Sequence, residues 1–151
     1  MDLFQEAANK MVVYHLRTSW LSLSKLFNEL ASHYDGTLSH AFVLLAIYED
    51  DGVPVTKIAP RIGMGPNSLT RTLNYLEEKG TLIRVQDKND NRKVLVHLTP
   101  LGKKLRKIAL KAVFNLEKFI TNDLTEEEKN AFFNVVNQVP KGLEQLKKSI
   151  E

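Results

Sequence analysis

The sequence predicts a mainly α-helical chain with a small β hairpin, arranged as a winged helix-turn-helix lobe set among longer helices. Three observations predict it. Between Val55 and Lys79, two short helical patterns are joined by Gly63-Met64-Gly65, a turn signal. Between Leu82 and Leu98, two strand-like runs enclose Asp87-Lys88-Asn89-Asp90-Asn91-Arg92, a polar and turn-prone tip. Basic charge is also concentrated here. Residues 55–107 hold twelve Lys/Arg against four acids, a net of +8, while the rest of the chain holds nine against fourteen, a net of −5. A basic module within an acidic remainder suits a phosphate-binding face, although a solvated basic surface would carry the same pattern.

Composition bounds the alternatives. A chain of 151 residues with 43% hydrophobic and 26% charged residues suits one compact domain, 1–151. No apolar run approaches the roughly 18 residues of a membrane span, so no membrane association is expected. The N-terminal MDLFQEAANK lacks a basic leader before an apolar segment, and no secretion signal is expected. There are no cysteines, which excludes disulfides and thiolate metal sites and agrees with a cytoplasmic location.

Taken in order, Leu3 to about His33 has no proline or glycine and carries helical spacing through Phe4, Ala7, Ala8, Met11, Val12, Trp20, Leu23, Leu26, Phe27 and Leu30. This predicts one long helix, bent near Arg17–Ser19. Its start is apolar on more than one face, which suggests contact with a second chain. Tyr34-Asp35-Gly36 ends it. Ser39 is a candidate cap for a helix running from His40 to about Asp50. After Asp51-Gly52, residues Val53 and Pro54 form a connection. Thr56 is the candidate cap of a helix over Lys57–Ile62.

Pro66 then opens a helix that runs to about Lys79, where its missing amide hydrogen costs nothing. Leu69, Leu73 and Leu76 share one face, and Asn67, Ser68, Thr70, Arg71 and Asn74 fall on or beside the opposite one. Gly80 stands where a left-handed residue terminates a helix. Strands are expected at Leu82–Gln86 and Lys93–Leu98. Thr99-Pro100 starts a helix to about Thr121, and Thr125 with Glu128 forms a capping box for the next. Pro140 should kink or restart that last helix.

A helix fits the major groove of duplex DNA, where arginine grips guanine, asparagine grips adenine and a threonine methyl meets a thymine methyl. The base and phosphate contacts are therefore expected from Asn67, Ser68, Thr70, Arg71 and Asn74. The competing reading makes them solvated helix residues with a capping role. Arg92, on a hairpin tip, suits a narrow minor groove; its alternative is a surface ion pair with Asp90 or Asp87. Lys88, Lys93, Arg84 and Arg61 are expected to neutralise backbone phosphates.

The residues LTRTLNYLEEKGTLIR and DKNDNRKVLVHLTPLG resemble the MarR family of winged-helix transcriptional regulators. The shared features are the Leu-Glu-x-Lys-Gly helix end, the Asp-x-x-Asp-x-Arg wing (Asp87, Asp90, Arg92) and the Leu-Thr-x-x-Gly exit (Leu98, Thr99, Gly102). The helix order fits over essentially the whole chain. The resemblance implies a homodimer in which helices from 1–34 and 100–151 interleave, flanking a DNA-binding lobe at 37–99. It implies that Pro66–Lys79 enters the major groove, that Arg92 enters the minor groove, and that Asp90 holds the wing tip in shape. It also implies small aromatic or phenolic acids bound between the dimer helices and the lobes; the expected act is repression by occupying a promoter, although activation would leave the same sequence signature. Trp20, His33, His40 and Phe42 have the chemistry to line such a cleft, but large aromatics at helical spacing more often belong to a core, and no ligand site is assigned. Pro60 departs from the family pattern. Inside a helix it removes one backbone bond, a cost tolerated where the helix is short or bent.

Other classes are less well supported. His15, His33, His40 and His97 are scattered without ligand spacing, so neither a metal site nor a cofactor is expected. No phosphate loop follows a strand, no nucleophile elbow is present, and no catalytic residue is assigned. The alternative function is a winged helix that binds DNA without reading sequence, or that serves only as a protein-interaction module.

Overall fold

The computed structural model describes residues 3–48 and 50–150. The elements in chain order are α1 (Leu3–Ala8), α2 (Val12–Ser32), α3 (Leu38–Ala46), β1 (Val53–Pro54), α4 (Val55–Ile62), α5 (Pro66–Glu78), β2 (Leu82–Gln86), β3 (Val94–Leu98), α6 (Pro100–Thr121), α7 (Glu126–Val136) and α8 (Gln138–Ile150). The fold is mainly helical with one small antiparallel sheet. Two compact units divide the chain, the first through Lys111 and the second from Ala112.

The core of the first unit is built between Val43 and Val96. Val43, Leu44, Ala46 and Ile47 come from α3 and its end, Val53 from β1, Ile58 from α4, Leu69, Leu73 and Leu76 from α5, Leu82 from β2 and Val96 from β3. The leucines of α5 thus lie on the buried face that their spacing predicts. The sheet has the order β1-β3-β2, so the hairpin gains a third strand. Val53 and Pro54, expected as a plain connection, pair with Val96 and Leu95. A proline is tolerated there because β1 lies at the sheet edge.

Several boundaries differ from expectation, each for a local reason. The first long helix breaks at Asn9–Met11 rather than bending at Arg17–Ser19. Met11 is extended (φ −97°, ψ 120°), and the His15 ring donates to the Asn9 carbonyl at 2.9 Å, which offers the backbone a partner outside a helix. The next helix is capped by Thr37, not Ser39. The Thr37 hydroxyl accepts the His40 amide at 3.3 Å, and the His40 Nδ1 accepts the Thr37 amide at 3.2 Å. That helix ends at Ala46, where the apolar, buried Ile47 turns extended (φ −100°, ψ 90°). The expected Tyr34–Gly36 turn is present, with Asp35 left-handed (φ 55°).

Helix α4 begins at Val55 with Pro54 in the cap position, so Thr56 is not its cap. Pro60 stands inside it, and the helix continues to Ile62, eight residues in all. The missing bond is borne by a short, partly exposed helix. Gly80 is left-handed (φ 68°), as expected for a helix terminator. Gly102 is required for a different reason. A Cβ there would lie 1.9 Å from the Thr81 carbonyl oxygen, so only glycine lets the first turn of α6 approach the α5–β2 connection.

In the second unit the expected caps are present. Thr125 and Glu128 form a reciprocal capping box, and three glutamates occupy the first turn of α7. The Thr125 amide and hydroxyl hold the Glu128 carboxyl below its ordinary range. The chain restarts at Gln138, which places Pro140 in the first turn of α8, where a proline fits. No residue of α7 or α8 is buried. Phe119 is 82% exposed and Ile150 76%. Among the described residues no helix is long and apolar enough to cross a membrane.

Candidate nucleic-acid interface

Helices α4 and α5, joined through Gly63–Gly65, form the helix-turn-helix, and β2–β3 form the wing. The outer face of α5 is polar at its start. Its cap is Gly65, which has no side chain to offer. Asn67, Ser68, Thr70 and Arg71 are all exposed. The Thr70 hydroxyl donates to the Pro66 carbonyl at 3.0 Å. The capping role weighed for Asn67 and Ser68 is thus not what their side chains do within the described chain. Pro66 has no amide, and the first amide returned into the helix is that of Leu69, to the Gly65 carbonyl at 3.0 Å. The intervening amides are therefore free to meet an anion at the positive end of the helix.

The other end of α5 is tied to its neighbours through Asn74, Tyr75 and Glu77. Arg84 of β2 reaches across to Glu77. Its Nε donates to Glu77 Oε2 at 3.0 Å, one terminal nitrogen also meets that oxygen, and its backbone amide donates to Glu77 Oε1 at 3.1 Å. The same terminal nitrogen donates to Asn74 Oδ1 at 2.9 Å. The Arg84 guanidinium holds the Glu77 carboxyl below its ordinary range. Tyr75 donates through its hydroxyl to the Asp35 carbonyl at 2.8 Å and stacks on His40 at 4.4 Å between ring centroids. Lys79 pairs with the Asp35 carboxylate at 2.5 Å. Thr81, buried, donates its hydroxyl to the Leu76 carbonyl at 2.7 Å.

The wing tip is a tight Asx-type turn organised by its two aspartates. Asp87 Oδ1 accepts the amides of Asn89 at 2.7 Å and Asp90 at 3.2 Å. Asp90 Oδ1 accepts the Arg92 amide at 3.1 Å, and its carbonyl accepts the Lys93 amide at 2.8 Å. Gln86 closes the loop by donating to the Asn91 carbonyl at 2.5 Å. The Arg92 guanidinium projects from this frame, 96% exposed, with only a 3.6 Å approach to Asp90. Lys93 is 3.4 Å from the same carboxylate, and Lys88 is exposed. Arg61 is engaged elsewhere. It donates to the Ala46 carbonyl at 3.1 Å and lies over the Tyr48 ring at 4.7 Å.

The expected site residues therefore fall into two groups. Asn67, Ser68, Thr70 and Arg71 form an open polar patch on α5, and Lys88, Arg92 and Lys93 crown the wing. Asn74 and Arg84 are bound to one another, and Arg61 is held against α3. Sequence reading missed Asp87 as an organiser of the tip, Glu77 as the partner of Arg84, and the Asp35–His40–Tyr75–Lys79 cluster. Asp87 has a sequence signal in its Asx-turn position. The cluster has none, since its members lie up to 44 residues apart. Among the described residues no group of metal-binding side chains occurs.

Helix-turn-helix, three-stranded sheet and basic-tipped β2–β3 wing define a winged helix-turn-helix protein. Residues 37–94 match the sequence profile of the MarR family. SarZ, a transcriptional regulator of Staphylococcus epidermidis, is 27% identical over 128 residues, covering 81% of this chain and 86% of SarZ. The regulator TtmR of Methylorubrum extorquens is 31% identical over 85 residues, which take in 56% of this chain and 44% of TtmR. Among solved structures, a point mutant of MarR from E. coli in complex with operator DNA superposes with a TM-score of 0.75 at 26% identity, covering 92% of this chain and 99% of that one. Residues 37–94 thus carry a MarR-type domain, and the relatives and solved structures that the chain resembles are DNA-binding transcriptional regulators.

Proposed function

We propose that the chain acts as a homodimeric, ligand-responsive repressor that reads a pseudo-palindromic operator. The observation that carries the reading of sequence is the open patch at the start of α5. Arg71, Asn67, Ser68 and Thr70 are exposed on the face opposite the buried leucines, beside free amide groups, on a helix whose length suits the major groove. Arg71 is the foremost candidate for a base contact. Arg92, held out by the aspartate-built tip, is the minor-groove contact. Lys88 and Lys93 neutralise phosphate.

Pairing is supported by the apolar residues left uncovered on α2, α6, α7 and α8. Val13, Phe114, Phe119 and Ile150 are each more than 65% exposed. A surface of this kind is covered in most proteins. Helices from 1–34 and 100–151 would supply the pairing surface, and 37–99 the reading lobe. Two-fold symmetry then places the half-sites about one helical turn apart. An aromatic or phenolic effector is the inducer the family resemblance implies. It would act by binding two wing spacings with different affinity. The location is expected to be cytoplasmic.

The test is selection of bound sequences from a random duplex library at two salt concentrations. A pseudo-palindrome recovered at both supports the proposal. If a dimer neutralises about eight phosphates, log affinity falls against log salt with a slope near −7. Binding without a motif, abolished at the higher salt, would instead mark a sequence-neutral architectural protein.

A further inference from the structure

Arg84 has the sequence character of a phosphate contact, an arginine on a basic wing, but its surroundings assign it otherwise. Its Nε and one terminal nitrogen are taken by Glu77 and Asn74, and its backbone amide by Glu77. The side chain is 31% exposed, against 96% for Arg92. A carboxylate in the last turn of α5 sits at the unfavourable end of the helix dipole and needs a cation beside it. Glu77 in turn cancels the charge that would attract phosphate. Strand β2 is an edge strand of the sheet, and Glu77 satisfies a backbone amide on it. The interaction therefore joins main chain and side chain of the wing to the reading helix. Asn74 also changes character. Gripping adenine needs both its oxygen and its nitrogen, and the oxygen is already in use.

We propose that Arg84, through Glu77 and Asn74, is a positioning residue that fixes the wing to the reading helix, so that Arg71 and Arg92 meet DNA in one register. Two guanidinium donors converging on Glu77 Oε2, with a further bond to Asn74, give this link directional stiffness that a lone lysine charge lacks. Phosphate neutralisation is left to Lys88 and Lys93, and base reading to the first turns of α5. This proposal rests on the DNA-reading function above.

The test uses Glu77→Gln and Arg84→Lys in the full chain, titrated against the selected duplex and a random duplex over a salt series. Hydrogen–deuterium exchange of the β2 amides is followed without DNA. Arg84→Lys keeps the charge and loses the converging donors; Glu77→Gln frees the arginine and removes an acid. If the link positions the wing, both variants lose roughly tenfold on the selected duplex. Both then keep at least wild-type affinity for random DNA, and Arg84→Lys keeps the wild-type salt slope. Both also exchange faster in β2. A role in stability alone would lower the melting temperature without moving the ratio of selected to random binding. If Arg84 is a phosphate contact, Glu77→Gln tightens binding to both duplexes and Arg84→Lys is near neutral; that result, or unchanged β2 exchange, overturns the proposal. A wild type that fails to distinguish the two duplexes breaks the regulator reading instead, and exchange alone then decides the link.

Discussion

The two ends of α5 carry similar residues and do opposite things. At its start, Asn67, Ser68 and Arg71 are exposed, and no side-chain partner joins them within the described chain. At its end, Asn74, Tyr75, Glu77 and Lys79 are tied to β2, to the α2–α3 turn and to one another. Polar groups that read a ligand must be left free until it arrives, because a satisfied donor gains little by changing partners. Polar groups that position a helix must be satisfied already. The contrast separates reading from holding where residue type does not.

The largest expected effect comes from breaking the holding end. Gly102→Ala would drive a methyl into the Thr81 carbonyl, whose residue seals the end of α5 through Leu76. The atom it meets most closely is backbone, so it cannot swing away. A decrease of about 3 kcal/mol in folding stability is expected, at the upper end of overpacking costs. Denaturant melts at fixed protein concentration measure it. A near-neutral result would mean that the end of α5 is looser than its packing implies.

Next comes the reading end. Arg71→Ala should cost roughly 1–3 kcal/mol in affinity for the selected duplex and leave thermal stability within experimental error. Unchanged affinity would remove Arg71 as a base contact. The wing gives a smaller and different effect. Arg92→Ala should lower affinity and flatten the log–log salt slope by about 0.9 for each phosphate that is no longer neutralised, without changing the preferred bases of the major groove. Full affinity in that variant would return Arg92 to a surface ion pair with Asp90.

The same contrast explains what was legible in the sequence. The fold was legible where one local signal decided the outcome. The leucines of α5 at spacings of four and three gave its buried face. Thr125 with Glu128 gave a capping box, and the six polar residues at 87–92 gave the wing tip. Boundaries failed where two local signals competed. Thr37 and Ser39 are both capable caps, and only the His40 ring, returning to the Thr37 amide, selects the first. The break at Asn9–Met11 depends on a histidine six residues away. In the candidate site, the exposed residues of α5 were legible because helical periodicity alone puts them outside. The engagement of Arg84 was not, because its partners lie seven and ten residues back, on another element.

The smallest expected effect tests the holding end through pH. The His40 Nδ1 accepts the Thr37 amide, so that nitrogen must be unprotonated for the cap to form. Burial lowers the His40 pKa from 6.5, partly opposed by the nearby Asp35 carboxylate, and the ring stacks on Tyr75 with Lys79 close by. A folded-state pKa below the unfolded value means that the unfolded chain takes up the proton first. The stabilisation is therefore complete above 6.5 and disappears as pH falls toward the folded pKa. Asp35 does not oppose this within that window. Lys79 lowers the Asp35 pKa from 3.8, so its contribution persists until the pH is more acidic still. Thermal melts from neutral to mildly acid pH should show a drop of no more than roughly 2–4 °C from this group, because the ring is only partly buried and solvent screens it. His40→Gln keeps an acceptor at the same capping position and cannot titrate, so this component of the pH dependence should vanish while the helix cap remains. If the variant retains the full acid sensitivity of the wild type, the titrating group lies elsewhere, and the His40–Tyr75 stack holds α5 by packing alone.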